Sequence, residues 1–196
     1  MTRRSEWPEP PAGAGGEGPP RAGEAAPRDP VERARAICLG LLAGTPRTRR
    51  QLAQALRARE IPEPAIAEVL DRFEEVGLID DAAFAGAWVE SRHHGRGLAG
   101  RALARELRTK GVAQGLIDEA VGRLDAQREE ATARALVARR LPATRGLPPE
   151  KRIRRLVGML ARKGYAEGLA LRVVRDALRA EDEDTELLDE YLEGGA

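Results

Sequence analysis

In the stretch Leu103-Ala104-Arg105-Glu106-Leu107-Arg108-Thr109-Lys110-Gly111-Val112, a leucine pair four residues apart precedes a basic residue, a glycine and an apolar residue. The same pattern surrounds the pair Leu156/Leu160, and the pair Leu52/Leu56 shares it except that Glu60 stands in place of the glycine. The offsets between the copies are 51 and 53 residues. An arginine stands six residues before the second leucine of every pair. This self-similarity at a fixed spacing predicts three copies of one structural unit.

Helical periodicity runs through each copy, and breaks at glycine or proline divide it into three short patterns. A short helix buries little apolar surface alone, so three helices must pack around a small Ala/Leu core. We therefore predict an all-α fold, in which three tandem three-helix modules with helix-turn-helix-like connections form an elongated array. The modules cover about residues 31–79, 80–125 and 126–180, and no convincing strand is found.

The turn after each leucine pair is expected to need a left-handed residue. Gly111 and Gly164 supply it in the second and third copies, and Val112 and Tyr165 can then pack back on the preceding helix. The first copy has Glu60 at this position. We expect its turn to be less ideal or differently built.

Composition excludes several classes of protein. Among 196 residues, aromatic side chains make up only 3%, which is too few for a base-stacking platform and unusual for a β-sandwich. Cys38 is the only cysteine, so neither an internal disulfide nor a cysteine-based zinc site is expected. The longest apolar run is short and no signal peptide is evident, so we expect a soluble, cytoplasmic protein without a membrane span.

The net charge of +1 conceals a strong asymmetry along the chain. Residues 31–180 carry 29 basic and 19 acidic side chains, whereas residues 181–196 carry eight acidic and no basic ones. Residues 1–30 hold seven prolines and five glycines and are predicted to be a disordered tail. The acidic tail at 181–196 is either an extension of the last helix, a partner-binding motif or an intramolecular competitor for the basic body.

A basic body favours a polyanionic partner. In the second copy, Arg101, Arg105 and Arg108 are spaced i, i+4, i+7 and fall on one helical face. Tandem faces of this kind predict a basic track that meets phosphates or an acidic protein groove, with a merely solvated surface as the alternative. Arg152 belongs to the same dense basic set in the third copy. The candidate contact residues are Arg49, Arg50, Arg59, Arg101, Arg105, Arg108, Lys110, Arg154, Arg155, Arg162 and Lys163.

The sequence offers little for catalysis, and we predict no catalytic residue, no metal site and no cofactor. The only histidines, His93 and His94, precede a glycine and are interpreted as a solvated helix end. The segment from Gly95 to Gly100 is glycine-rich but follows a helix and lacks the Lys-Ser/Thr of a phosphate loop. It is interpreted as a flexible turn.

Two patterned segments occurring in order give the sequence a family resemblance. Val76-Gly77-Leu78-Ile79-Asp80-Asp81-Ala82-Ala83-Phe84-Ala85, continuing to Arg92, resembles the RecX family of recombination regulators. So does the stretch Leu103–Val112 quoted above, while Arg162-Lys163-Gly164-Tyr165 adds a match in the third copy. The resemblance covers about residues 31–180.

This resemblance implies tandem three-helix modules that bind the RecA recombinase and lodge in the groove of its filament on single-stranded DNA. Such binding limits filament extension, ATP hydrolysis and strand exchange. The resemblance therefore implies a role in homologous recombination, DNA repair and the SOS response. Weak binding to DNA, single-stranded or double-stranded, is also implied. We expect a monomer and no enzyme activity.

Two other interpretations stay open at this point. Arg-rich second helices suit a helix-turn-helix protein that acts on DNA without RecA, although base-reading Asn and Gln positions and a dimerisation element are not evident. The other is an enzyme of unknown type that uses His93 or His94.

Overall fold

The computed structural model describes residues 29–181, and these residues form nine α-helices and no strand. The all-α tandem fold predicted from the sequence is therefore confirmed. The predicted disordered tail at 1–30 and acidic tail at 181–196 lie outside the described residues, apart from Asp29, Pro30 and Glu181. The helices are α1 (Pro30–Gly44), α2 (Arg49–Arg57), α3 (Glu63–Glu75), α4 (Asp81–Arg96), α5 (Gly100–Lys110), α6 (Gln114–Gly122), α7 (Ala126–Arg140), α8 (Pro149–Arg162) and α9 (Glu167–Arg179). A short 3-10 turn, Leu141–Thr144, follows α7.

Local sequence signals explain where several helices begin. Thr48 caps α2 in a capping box: its hydroxyl oxygen accepts from the Gln51 amide, and the Gln51 side-chain oxygen accepts from the Thr48 amide. The Asp80 carboxylate accepts from the Ala83 amide at 2.8 Å and caps α4. Pro149 stands at the first position of α8, where a missing N–H costs nothing. These caps separate the helices at the positions that the periodicity predicts.

Each group of three helices surrounds its own apolar cluster. The helix pairs that pack most closely lie within α1–α3, within α4–α6 or within α7–α9. The three leucine pairs of the repeat, 52/56, 103/107 and 156/160, have no exposed surface. Ala99 is the one buried residue that lies in a neighbour's cluster, because it packs with the core of α7–α9. The repeated leucines therefore hold each module together.

The turn between the second and third helices is the same in all three modules. The amides of Ile61, Val112 and Tyr165 each donate to the carbonyl of the preceding second leucine at 3.2 Å. Glu60 adopts φ +59°, close to the left-handed values of the glycines at that position. Of the two alternatives expected for the first turn, the structure supports the less ideal turn and not a differently built one, because Glu60 adopts the left-handed backbone without changing the turn.

The glycines in the other two turns make room for a neighbouring module. A Cβ at Gly164 would lie 2.5 Å from the backbone nitrogen of Ala102, at the start of α5. A Cβ at Gly111 would overlap the side chain of Arg50, at the start of α2. Glu60 belongs to the first module, and no described module precedes that module along the chain. Glycine is thus required where one module's second helix approaches the next module's turn.

The joint between the second and third modules is formed by the segment from His93 to Gly100. His93 is only 2% exposed; its Nδ1–H donates to the Leu98 carbonyl at 2.8 Å, and its Nε2 lies 3.0 Å from the Thr132 hydroxyl of α7. The Gly100 amide donates to the Glu129 carboxylate at 2.6 Å. The interpretation of His93 as solvated is wrong, because its two ring nitrogens bridge two modules, whereas His94 is exposed.

The glycine-rich segment itself is also more constrained than expected. Gly97 is buried with φ +60°, and a Cβ there would lie 3.0 Å from a Leu136 methyl group. The Gly97 carbonyl accepts a hydrogen bond from the Tyr165 hydroxyl at 3.2 Å. The interpretation of residues 95–100 as a flexible turn is therefore wrong. Contacts with α7 and with the α8–α9 turn hold the segment in place.

Substitutions at the three equivalent turn positions should separate the two roles of glycine. Gly164→Ala should destabilise the protein by about 2–4 kcal/mol, since it combines a left-handed residue with a backbone clash. Gly111→Ala should cost less, about 1–2 kcal/mol, because the Arg50 side chain can move. Glu60→Gly should stabilise by about 0.5–1 kcal/mol. Urea unfolding followed by circular dichroism measures all three; equal losses at Gly111 and Gly164 would contradict the close-approach explanation.

Candidate interaction surface on the second helices

The second helices of the three modules, α2, α5 and α8, meet end to end. The hydroxyl of Thr48, the N-cap of α2, donates to the Lys110 carbonyl at the end of α5 at 2.7 Å. The amide of Ala99, the N-cap of α5, donates to the Lys163 carbonyl at the end of α8 at 2.9 Å. In both joints the positive end of one helix faces the negative end of the next, which is a favourable arrangement of helix dipoles.

Arg101, Arg105 and Arg108, named here the α5 arginines, line one groove. The groove has a volume of about 700 Å³ and lies between α5–α6 and α8–α9. All three side chains are exposed. The structure therefore brings together the three residues that the i, i+4, i+7 spacing placed on one face. The remaining lining is largely apolar and consists of Gly100, Ala104, Val121, Val157, Ala161, Gly164, Tyr165, Glu167 and Ala170.

Among the described residues, the charge of the α5 arginines is poorly compensated. Arg108 donates to the neutral amide of Gln114 at 2.9 Å. At the equivalent positions of the first module, Arg57 instead forms an ion pair with Glu63 at 2.6 Å, which raises the pKa of Arg57 and lowers that of Glu63. Among the described residues that line the groove, Glu167 is the only carboxylate. The groove wall is therefore positive, and an anionic group can satisfy it.

Arg49 forms its own intramolecular network at the start of α2. Its guanidinium donates to Asp71 at 2.6 Å and to Glu74 at 2.5 Å, both on α3, and these carboxylates raise its pKa despite partial desolvation. Its backbone amide donates to the Asp81 carboxylate of α4 at 2.9 Å. Arg49 thus ties the first module to the start of the second, and its charge is already neutralised.

The two lysines of the repeat lie at the module joints. The ammonium of Lys110 lies 3.9 Å from the ring centroid of Trp88, which also stacks on Phe84 with centroids 5.7 Å apart. The ammonium of Lys163 donates to the Arg96 carbonyl at 2.5 Å. Burial lowers the pKa of Lys163, with Arg139 and Arg96 contributing. Both lysines contact their own chain at the module joints, whereas the α5 arginines line the groove.

The remaining candidates lie at the surface on either side of the central groove. Arg59 donates to the Ala55 carbonyl at 2.8 Å, along its own helix, and Arg50 packs over the Gly111 turn. Arg154, Arg155 and Arg162 are exposed on α8. The equivalents of Arg105 and Arg108 in the third module are Gly158 and Ala161. The arginine face is thus complete only on α5.

Arg152 differs from the other basic residues of α8 because its side chain is buried. It is 1% exposed, and it donates to Glu181 at 2.5 Å and to the Thr144 hydroxyl at 3.2 Å. Counting it among surface arginines was wrong. Arg152 stands four residues before Leu156 and eight before Leu160, so all three lie on the same helical face. This spacing in the sequence already indicates that Arg152 is buried.

Within residues 29–181, no helix is both long enough and apolar enough to cross a bilayer. In the same part of the chain, no group of three or more His, Cys, Asp or Glu side chains is placed to hold a metal ion.

Comparison with known proteins assigns a family to this arrangement. Models of the first, second and third three-helix domains of RecX match residues 34–73, 80–121 and 128–174. The Regulatory protein RecX of Streptomyces coelicolor is 76% identical over 162 residues, which cover 83% of this chain and 86% of that protein. The chain belongs to the RecX family.

Other RecX proteins are similar over most of their length. The Regulatory protein RecX of Thermobifida fusca is 62% identical over 170 residues, covering 87% of this chain and 91% of its own. The crystal structure of RecX from Lactobacillus salivarius superposes with a TM-score of 0.71 at 17% identity, covering 76% and 96% of the two chains. A second RecX crystal structure gives a TM-score of 0.68 at 22% identity. The tandem helical modules are thus the RecX fold.

Replacing Glu181 with glutamine should destabilise the third module of this RecX protein in a pH-dependent way. Arg145 and Arg152 hold the pKa of Glu181 below its usual value. The contribution of Glu181 to the free energy of unfolding is therefore complete above the unfolded-state carboxyl pKa of about 4.3. It disappears as the pH falls through the lower folded-state pKa. Glu181→Gln should lower the melting temperature by several degrees at pH 7, and the difference from wild type should vanish in acid. Thermal unfolding from neutral to acid pH measures this, with Glu167→Gln on the exposed start of α9 as control. An equal effect of both variants would contradict the pairing.

Proposed function

We propose that this RecX-family protein binds RecA and its filament on single-stranded DNA and limits filament extension, ATP hydrolysis and strand exchange. The observation that carries the proposal is the row of second helices joined end to end, with the uncompensated α5 arginines at its centre. Homologous recombination and DNA repair would be the processes regulated. Family membership supports the choice of partner.

The proposed mechanism is steric and electrostatic. Helices of 9, 11 and 14 residues placed end to end span on the order of 50 Å, at about 1.5 Å per residue. A body of that length can bridge neighbouring recombinase subunits along the filament groove. Its arginines would then contact acidic groove surface or exposed DNA phosphates. Bridging disfavours any filament state that must change its subunit spacing in order to grow or to hydrolyse ATP.

Affinity in this mechanism is the sum of weak contacts distributed along the modules. The α5 arginines would provide the central contact, with Arg50, Arg59, Arg154, Arg155 and Arg162 as flanking contacts. Lys110, Lys163 and Arg49 would act mainly by holding the modules in line. Contacts made to phosphate in this way position the protein without reading base sequence.

Reversing the charge of the α5 arginines should abolish inhibition. With the substitutions Arg101→Glu, Arg105→Glu and Arg108→Glu, the groove wall would repel anionic groups. The measurement is ATP hydrolysis by RecA on single-stranded DNA, with the protein titrated below one copy per recombinase subunit. Wild type should inhibit in this range. The triple variant should need at least a tenfold higher concentration, and its circular dichroism should be unchanged because the three side chains are exposed.

A matched control has the same change of charge away from the second helices. Arg33 and Arg35 on α1 and Arg140 at the end of α7 are exposed, so Arg33→Glu, Arg35→Glu and Arg140→Glu together should keep most of the inhibition. Equal loss in both triple variants would point to overall charge rather than to the groove. No inhibition by equimolar wild type at low salt would reject the RecA proposal and leave direct DNA binding as the function to test by gel retardation.

Binding to single-stranded DNA should depend steeply on salt, and the α5 arginines should account for part of that dependence. Each phosphate contact contributes about 0.7 to the slope of log K against log salt on a single strand. Removing all three arginines as alanines should therefore reduce the slope by about 2. Fluorescence anisotropy of a labelled oligonucleotide between low and moderate salt measures the slope; an unchanged slope would show that these arginines do not contact phosphate.

A further inference from the structure

The groove beside the α5 arginines is amphipathic. Its floor is apolar and includes Val121, Val157 and Ala161, whereas one wall carries the three arginines. Glu167 is the single carboxylate among the described lining residues, and it leaves a local excess of two positive charges. A ligand that matches this surface combines an apolar stripe with several negative charges, and bare DNA backbone lacks the apolar stripe.

A segment of this chain has that chemistry. Residues 182–196 contain seven acidic side chains and no basic one. The same segment contains Leu187, Leu188, Tyr191 and Leu192, whose spacing puts them on one face if the segment is helical. One short helical segment would therefore have an apolar face for the groove floor. Its opposite, acidic face would form ion pairs with the arginine wall.

The place where the described chain ends is compatible with docking in the same molecule. Glu181 is held by Arg145 at 2.6 Å and by the buried Arg152, so the starting point of residues 182–196 is defined. Ala170 lines the groove and lies eleven residues before Glu181, a separation of about 16 Å at the helical rise of about 1.5 Å per residue. Five extended residues span about 17 Å, so residues 182–186 suffice to bring Leu187 to the groove.

We propose that residues 182–196 occupy the groove between α5–α6 and α8–α9, where they pair with the α5 arginines. Occupation of the groove is a property of this chain alone. Its regulatory consequence rests on the proposed function: the segment competes with the polyanionic filament for the same arginines. RecA or DNA must displace it, so the protein binds weakly until a dense array of negative charge is present.

A second apolar groove near Glu181 is the alternative position for the segment. It measures about 340 Å³, lies between α7 and α9, and is lined by Ala138, Leu141, Val173 and Ala177 among others. Among its described lining residues, Arg134 is the only basic one, and it is already paired with Glu130 at 2.5 Å. Charge complementarity therefore favours the groove of the α5 arginines over this closer site.

Disulfide trapping distinguishes the two positions without RecA or DNA. In a Cys38→Ala background, which removes the buried native thiol, Leu188→Cys is combined either with Ala161→Cys or with Ala138→Cys. Both alanines are exposed, and each lines one of the two grooves. A disulfide requires Cα atoms within about 7 Å, so the rate of intramolecular cross-linking under mild oxidation reports occupancy.

We expect the Ala161→Cys pair to cross-link at least tenfold faster than the Ala138→Cys pair at low salt. The advantage should disappear in about 1 M salt, where screening is strong, and when Arg101, Arg105 and Arg108 are all changed to Glu. Equal rates, faster cross-linking through Ala138→Cys, or cross-links only between molecules would overturn the proposal.

The regulatory consequence has its own measurement in the full chain. Glu186→Gln, Glu190→Gln and Glu193→Gln together should lower the concentration needed for half-inhibition of RecA ATP hydrolysis by at least threefold. The control, Glu32→Gln, Glu68→Gln and Glu150→Gln, makes the same change of charge at exposed sites elsewhere and should have a smaller effect. Equal effects of the two sets would overturn the competition. If wild type and both sets leave ATP hydrolysis unchanged, the proposed function fails, and the cross-linking rates alone decide whether the segment occupies the groove.

Discussion

The close approach of each second helix to the turn of the next module is the constraint on which the rest of the structure depends. Ala102 packs against Gly164, and Arg50 packs against Gly111. The hydrogen bonds that the Lys110 and Lys163 carbonyls accept form beside these contacts. Modules joined in this way present their second helices as one row. Without these and the other contacts between modules, three separate cores would leave the relative orientation of the modules free.

Charge is distributed unevenly along that row. In the first module, Asp71 and Glu74 neutralise Arg49, and Glu63 neutralises Arg57. All three carboxylates lie on α3. On α5, a glutamine replaces the equivalent of Glu63, and the arginines line a groove instead of pairing. The three modules thus share their leucines, but the partners of their arginines differ. That difference distinguishes the central module from the first. The proposed function and the proposed regulation both depend on this difference.

Buried polar groups define the two ends of the third module. His93 and Tyr165 join it to the second module through hydrogen bonds to Thr132 and the Gly97 carbonyl, while Arg152 holds Glu181 at its far end. A buried guanidinium is costly unless it is paired, so the Arg152–Glu181 contact favours one position for the start of the acidic segment. These groups contribute orientation more than stability, since each depends on partners being brought together in one geometry.

The sequence by itself determined the helical class, the buried leucines and the caps at Thr48 and Asp80, because these follow from interactions within about ten residues of the chain. It also determined the three-fold repeat, through self-similarity at offsets of 51 and 53 residues. It also placed Arg101, Arg105 and Arg108 on one face. Only the tertiary structure decided that His93 is buried, that Lys110 and Lys163 lie at joints, and that one groove collects the α5 arginines. The partners of His93 and Lys163 include residues 39 and 67 positions away in sequence. Burial of a polar side chain depends on such distant partners, and local periodicity carries no information about them.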